Sequence, residues 1–552
     1  MMKREERLSE SDVEPDEVVV VGVGGDDDDR LSSLPDDLIG RILSFLPTRQ
    51  AAVTSQLSRR WRRVWPAHVA ALNLSVRDLP RQRRSTVRRR FEFATLARES
   101  LLRFPTTGIP SISLEIDNYI NIAADGWFSQ AMERAVGSVR VTSLRGLIGG
   151  MDLPPCARAV TMAVTSPRTV LTLPDDSLVF GRLAELSLSL VRLGGGGERP
   201  LDEFLSSCCP RLRILRLRAV RGHAVCRLVL NTLDLLEVLD INGIDDLATL
   251  DVSAPNLRCL NVRSCFRSGG DGAGAVAVSA PRIEAIGWYR SYPKHLTFRS
   301  GLARIRRLDG PLKLPAIGRR DQFDAPCTMQ LLQSCSFVVG HLDMELVMPD
   351  EMTLLNWLGT QPAEAAGSDT GVCEDLIRRV PELPRVTVLS LNIRWSFTGG
   401  GGIAPSLASL LSRTPSLTRL HIHTRPYCFS DSQEGEAQQS WHTWLSKDGD
   451  ISRRSLGRPL GCLREVRVDG LTGADREECR LVELLLTTIA PPSLETMSLA
   501  FLRHAVSFII EDIAREIPVH FPMMATGRWE RSPLNVLTWK KNTLNENYHM
   551  IN

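Results

Sequence analysis

His421 and His423 stand two residues apart in LTRLHIHT, so on an extended strand both imidazoles project from one face, an arrangement a transition metal can use. No acidic or cysteine third ligand is recognisable beside them, and no metal is expected. The twelve cysteines are scattered without a CxxC pair, which favours neither a disulfide framework nor a paired zinc site. Reduced thiols of this kind suit a cytoplasmic and/or nuclear protein. GVGG at Gly22 to Gly25 lacks the GxGxxG spacing, and the aspartates that follow, Asp26 to Asp29, repel phosphate. The chain contains no GxSxG, HExxH, GxxxxGK[ST] or zinc-deaminase spacing. The expectation is therefore binding chemistry: no enzyme activity and no cofactor.

The strongest binding signal is LSRRWRRVW, Leu57 to Trp65, which sets two tryptophans among four arginines. With 67 Lys+Arg against 64 Asp+Glu the net charge is only +3, so no field spans the molecule to draw it to nucleic acid or a membrane, and any electrostatic role is local. Ser58 is suited to cap a helix beginning at Arg59, which places Trp61 and Trp65 on one face at i, i+4 with Arg59, Arg60, Arg62 and Arg63 around it.

Ahead of that helix, LPDDLIGRILSFLP reads as another. Pro35 suits its first turn, Asp36 and Asp37 favour its positive end, and Pro47 stops it. Leu38, Ile42 and Phe45 form one side, and Ile39, Leu43 and Leu46 an adjoining one. So wide an apolar face needs cover from more than one element.

The first thirty residues carry eleven acids and four bases and lack periodic apolar positions, which reads as a disordered leader and not a signal peptide. Arg77 to Arg103, with nine arginines and three acids, is the one strongly basic stretch; it reads as a helical connector with a solvated face, against a docking surface for an acidic partner. It holds only Phe91 and Phe93 for base stacking, so nucleic acid is not expected as a partner. No run approaches the roughly 18 apolar residues of a membrane helix, and no membrane partner is expected.

From about residue 180 a loose L-x-x-L-x-L pattern recurs: LAELSLSL at Leu183, LRILRLRAV at Leu212, LEVLDI at Leu236, LRCLNVRSC at Leu257 and IEAIGW at Ile283, at intervals of 21 to 29 residues. Later copies begin at Val386, Leu417, Leu463 and Leu494, several introduced by proline as in CCPRL, SAPNL and RTPSL. A short strand that points alternate side chains inward buries little alone, whereas stacked neighbours share one core. The expected fold is thus an α/β solenoid. Between Ile283 and Val386 the pattern matches only partly, and Gly194 to Gly197, Gly399 to Gly402 and Ser430 to Gly457 read as surface insertions.

These residues carry a family resemblance. Leu34-Pro35, Leu38, Ile42, Leu43, SFLP at Ser44 to Pro47, Ser55, LSRRW at Leu57 to Trp61, and Trp65 resemble the F-box of plant F-box proteins. The repeats resemble the irregular leucine-rich repeats that accompany such F-boxes, and Leu463 to Leu499 is similar to the FBD region that closes many of these chains. The resemblance implies a small all-α F-box followed by an irregular leucine-rich-repeat curved solenoid. The expected order is an acidic leader at 1–30, an F-box at 31–75, a basic linker and start of the solenoid at 76–115, irregular repeats at 116–455, FBD-like terminal repeats at 456–505 and a C-terminal tail at 506–552.

What the resemblance implies for function is a non-catalytic substrate-recognition subunit of an SCF-type cullin-RING ubiquitin ligase. Its F-box would dock on a Skp-family adaptor, and through it a cullin, while the repeats hold an unidentified protein target. The alternative is an F-box scaffold or inhibitor that binds the adaptor without presenting substrate. The adaptor-binding set, shared between an interface and the F-box's own core, is Leu34, Pro35, Ile39, Leu43, Leu57, Trp61 and Trp65. In a leucine-rich-repeat strand the leucines of L-x-L point inward, so their neighbours line the open concave face. That rule exposes Arg216, Arg218, Asp240, Asn242, Asn261, Arg263, Ser390, Asn392, His421 and His423, then Arg467 and Asp469, as a polar row for the target. Cys265 falls where such repeats accept Asn or Cys and reads as a buried turn residue, as Cys208-Cys209 reads as structural.

Overall fold

The computed structural model describes residues 33–79, 85–104, 108–120, 122, 126–147, 150–194, 199–266, 274–318, 325–349, 374–395, 403–426, 460–472, 476–488, 493–502 and 507–542. The acidic leader, Gly399 to Gly402, Ser430 to Gly457 and the Leu57 side chain lie outside the described residues. Among the described residues three α-helices come first: α1 (Asp36–Phe45), α2 (Thr48–Thr54) and α3 (Arg59–His68). Pro35 and Pro47 occupy the cap positions of α1 and α2, where a missing N–H costs nothing, and Asp36 and Asp37 sit in the first turn of α1. The Ser58 side chain caps α3 by accepting from the Arg60 N–H at 3.1 Å, as the sequence predicts.

A 17-stranded sheet follows. Its strands pair in parallel, each with its sequence neighbour in the sheet, from Ala71–Ser75 through Ile109–Ile116, Ala135–Ser143, Thr161–Thr165, Glu185–Ser189, Ile214–Arg218, Val238–Asn242, Cys259–Arg263 and Ala285–Tyr289. The order then continues through Arg307–Pro315, His341–Val347, Val388–Trp395, Arg419–Pro426, Glu465–Leu471 and Thr496–Phe501. Inward leucines stack in register, for example Leu188, Leu217, Ile241 and Val262, all buried. The return legs hold a second, four-stranded parallel sheet (Arg227–Leu230, Thr249–Ser253, Ala275–Ser279, His295–Phe298) and, in other repeats, helices such as Leu201–Cys208, whose Phe204 and Leu205 close the core.

Local sequence explains how each strand begins and ends. Cys209-Pro210-Arg211-Leu212, Ala254-Pro255-Asn256-Leu257 and Thr414-Pro415-Ser416-Leu417 are tight turns, closed by the N–H of the last residue donating to the carbonyl of the first at 3.2 Å. Proline's fixed φ suits the second position of such a turn. The leucine that ends the turn is buried and opens the next L-x-L strand. Where strands leave the sheet, one residue adopts the left-handed conformation: Leu190 (φ 61), Ala219 (φ 50), Gly243 (φ 69), Ser264 (φ 50) and Arg290 (φ 47). The first four each donate an N–H to the last strand residue of the next repeat, at 2.7 to 2.9 Å.

The first and last strands are covered. The Asn73 N–H, on the free edge of the first strand, donates to Thr48 Oγ1 of α2 at 2.9 Å, and the Asn73 amide donates to the Ser44 and Leu46 carbonyls at 2.7 and 3.0 Å. At the other end an antiparallel hairpin, Gly527–Ser532 with Val536–Lys541, pairs with Thr496–Phe501. An open edge is a template for pairing with another chain; the helical unit covers part of the first, and at the far end the hairpin covers Thr496–Phe501 and makes Gly527–Ser532 the outermost strand.

Several sequence expectations change. Strands begin at Ala71, well before the first legible repeat, and the indistinct stretch after Ile283 contributes Arg307–Pro315 and His341–Val347. The segment read as a tail contains a helix, Ser507–His520, and the closing hairpin. The basic stretch contains helix α4 (Thr86–Arg103), whose Phe93 packs edge-on against Trp127 with ring centroids 5.6 Å apart. Its outer side is solvated and carries the Arg88–Glu92 pair at 3.3 Å, in agreement with a helical connector. No helix among the described residues is long and apolar enough to cross a membrane.

Candidate docking surfaces on the helices and the sheet

The amino-terminal helices are held by a polar clasp and a close contact. Arg60 of α3 pairs with Asp36 of α1 at 2.6 Å and also donates to the Leu34 carbonyl; His68 Nδ1 meets Asp37 at 2.8 Å. Gly40 lets α1 approach α3, because a Cβ there would come within 2.5 Å of the His68 Cβ. Of the four arginines in LSRRWRRVW, Arg60 therefore works inside the helical unit, and Arg59, Arg62 and Arg63 remain exposed.

The two apolar sides of α1 have different fates. Ile39 and Leu43 are fully buried with Trp65, while Leu34 and Trp61 are partly buried against the same core. Leu38 (44% exposed), Ile42 (41%) and Phe45 (78%) lie uncovered, as does Val53 of α2 (59%). The set read from sequence as shared between an interface and the unit's own core divides accordingly: Ile39, Leu43 and Trp65 lie in that core. Pro35 is exposed at the start of α1. Leu38, Ile42 and Phe45 were legible as a set, since they recur at helical spacing; what the sequence did not decide is which side of α1 turns inward.

On the sheet, register assembles the predicted polar residues into two rows. Arg216, Asp240 and Asn261 are direct neighbours, as are Arg218, Asn242 and Arg263. Further along, Ser390, His421 and Arg467 form one row and Asn392, His423 and Asp469 the other. Between these blocks the sheet inserts residues the sequence reading missed, among them Tyr289, Asp309, Asp343 and Glu345. Asp309, Asp343 and Glu345 fall in the stretch after Ile283, where the pattern matches only partly.

The second block is electrostatically knit. Asp469 accepts from Arg467 Nε at 2.9 Å and meets His421 Nε2 at 2.7 Å. Burial alone would raise its pKa, but these bonds hold the carboxyl below the usual range. Burial, aided by the Arg425 charge, pushes His423 down. Asp343 is pushed up to about 6, mainly by burial, with the charges of Asp309 and Glu345 adding to it against the Gly310 backbone and His421. Its Oδ1 is buried without a hydrogen-bond partner. Glu345 is buried and paired with Arg394 at 3.1 Å. Among the described residues no group of His, Cys, Asp or Glu is arranged to hold a metal, and Cys208, Cys209 and Cys265 are buried. This is a surface of fixed hydrogen-bonding groups, suited to recognising a partner.

Residues 31–67 match the F-box domain. The chain is similar to a putative F-box protein of Arabidopsis thaliana, 31% identical over 188 residues, which is 34% of this chain and 38% of that protein. An F-box/FBD/LRR-repeat protein of the same plant is 29% identical over 274 residues, 48% of this chain and 49% of the relative. A putative F-box/LRR-repeat protein, also from Arabidopsis thaliana, is 27% identical over 257 residues, 43% and 53% of the two chains. The matches thus span about half, or less, of the length of these relatives. The covered helical unit with one apolar side left open and the strand-rich region behind it coincide with these similarities: the chain carries an F-box domain at residues 31–67 and is similar over about half its length to plant F-box/FBD/LRR-repeat proteins.

Proposed function

We propose that this chain is the substrate-recognition subunit of an SCF-type cullin-RING ubiquitin ligase. F-box proteins in general act in such ligases, and the observation that carries the reading is the uncovered side of α1. Leu38, Ile42 and Phe45, with Val53 and the exposed Pro35, form an apolar strip on a unit too small to bury it, and such strips mark association sites. A Skp-family adaptor is the partner we assign to it, and a cullin follows through the adaptor. The parallel strands behind it, stacked in chain order, are those of an irregular leucine-rich-repeat solenoid, and its concave polar rows hold the protein target. No chemistry is required of such a subunit: it brings target and ubiquitin donor together, which is a contribution of proximity and orientation.

The test is copurification of the full chain with a Skp-family adaptor and cullin. Phe45→Asp with Ile42→Asp is expected to abolish capture while leaving the thermal melting profile in place, since neither side chain is buried. Retained capture by that variant would remove the docking assignment. If the adaptor is captured but no bound protein becomes ubiquitinated when the proteasome is inhibited, the chain is a scaffold that does not present substrate.

A further inference from the structure

Where strands turn off the polar face, four arginines lie on neighbouring stretches of backbone. Arg192 and Arg221 are directly opposed in a parallel bridge, and Val170 pairs with Arg192 on the other side. The Arg192 N–H donates to the Thr169 carbonyl at 2.9 Å, which brings the neighbouring Arg168 alongside, and Arg218 ends the strand that leads to Arg221. All four arginines are exposed. Neighbouring arginines have carboxylate partners: Arg213 with Glu237, Arg216 with Glu185, Arg199 with Asp176. Among the described residues, Arg168, Arg192, Arg218 and Arg221 have none. Asp245 stands at the equivalent position one turn further along, and it too pairs with none of them.

Like charges set directly opposite each other across neighbouring strands destabilise a sheet. The Arg192–Arg221 pair therefore costs the free protein something that an anionic group seated between them would offset. Guanidinium forks match the geometry of carboxylate and phosphate oxygens, and they form charge-assisted hydrogen bonds that are stronger than neutral ones. Exposed Val170 and Leu190 lie on the same rim and provide an apolar surface beside the charges. We infer that this rim binds an acidic peptide segment, with carboxylates or phosphate groups held by Arg192, Arg221, Arg218 and Arg168. The inference rests on the reading of the polar face as the target surface, since Arg218 belongs to both, and it gives the target a chemistry: acidic side chains beside an apolar one.

The experiment uses the full chain copurified with its adaptor, and fluorescence anisotropy of three labelled peptides: one rich in Asp and Glu, one with two phosphoserines and a neutral Ser/Gln counterpart. The acidic and phosphorylated peptides are expected to bind more tightly than the neutral one and to weaken as salt rises. Tighter binding of the phosphorylated peptide assigns phosphate as the source of charge, and equal binding assigns carboxylate. Arg192→Ala with Arg221→Ala should weaken binding at least about tenfold, the loss expected from removing charged hydrogen bonds. Arg304→Ala, an exposed arginine elsewhere, should leave it unchanged. Equal binding of acidic and neutral peptides, or equal loss in both variants, overturns the proposal. Adaptor capture in the same preparation reports the ligase reading independently.

Discussion

The Asn73 side-chain amide donates to the Ser44 carbonyl at 2.7 Å, so the first strand of the sheet holds the last turn of the F-box helix α1. Helix ends leave carbonyls without intrahelical partners, and Asn73 satisfies this one and that of Leu46 at once. Replacing it leaves both without this partner. Asn73→Ala is expected to cost about 1–2 kcal/mol and to speed amide exchange in α1 and α2 selectively, with the central strands Leu239 to Val262 unchanged. Hydrogen exchange read by mass spectrometry checks this; uniform exchange across the chain would show that the contact does not join the two parts.

The two sides of α1 make a paired prediction. Ile39→Ala removes a fully buried side chain and should cost about 2–4 kcal/mol. Ile42→Ala, one turn away on the uncovered side, should shift stability by less than about 0.5 kcal/mol and weaken adaptor binding instead. Denaturant unfolding and adaptor capture on the same two variants separate the roles. Similar destabilisation by both would mean that Ile42 is covered within the chain.

The left-handed residues at the strand ends invite an exchange. Gly243 has room for a Cβ, whose nearest contact would be an ordinary 3.6 Å from Ala219 Cα, so only its φ of 69° resists a side chain. Gly243→Ala should therefore destabilise by about 1 kcal/mol. Ala219, already strained at φ 50, should gain from Ala219→Gly by up to about 1 kcal/mol, less the entropy glycine loses on folding. Opposite shifts of the melting temperature are the expected result; the same sign for both would contradict the backbone account.

Asp343 makes stability depend on pH. Its folded pKa, about 6, lies above the ordinary carboxylate value of 3.8, so the folded state takes up the proton first. The contribution is neutral below the unfolded value, becomes a penalty as pH rises from about 4 to 6, and is complete above that. Solvent screening holds it to about 1 kcal/mol. Asp343→Asn should raise the melting temperature at pH 7.5 and leave it unchanged near pH 4. A stabilisation of the same size at both would point to packing and not to the charge.

The sequence revealed the F-box because its helices carry their own stop and start residues: Pro35, Pro47 and Ser58 all sit where their chemistry predicts. It revealed the middle repeats because a tight turn, in several of them carrying a proline, and a buried leucine or isoleucine precede each strand. Thr161–Thr165 alternates as well as any later strand, yet it is led in by Ala159 and Val160 and not by a leucine. A search for leucines passes over it. His341–Val347 shows the opposite difficulty: Glu345 is buried beside Met344 and Leu346, so the alternation of polar and apolar residues breaks where Arg394 from the next strand neutralises the charge. Which apolar side of α1 faces inward depended on Gly40, whose closeness to His68 is a tertiary fact and has no local signature.

With helices on one flank and an antiparallel hairpin on the other, the parallel array is bounded at both ends by elements of a different kind, and the hairpin breaks the parallel run. Among the described residues fifteen parallel strands at about 4.8 Å spacing make a track of roughly 70 Å, which an extended chain of about twenty residues would traverse. Under the proposed function, a target reading the whole track would have to offer an unfolded stretch of that length, and a folded one would touch only part of it.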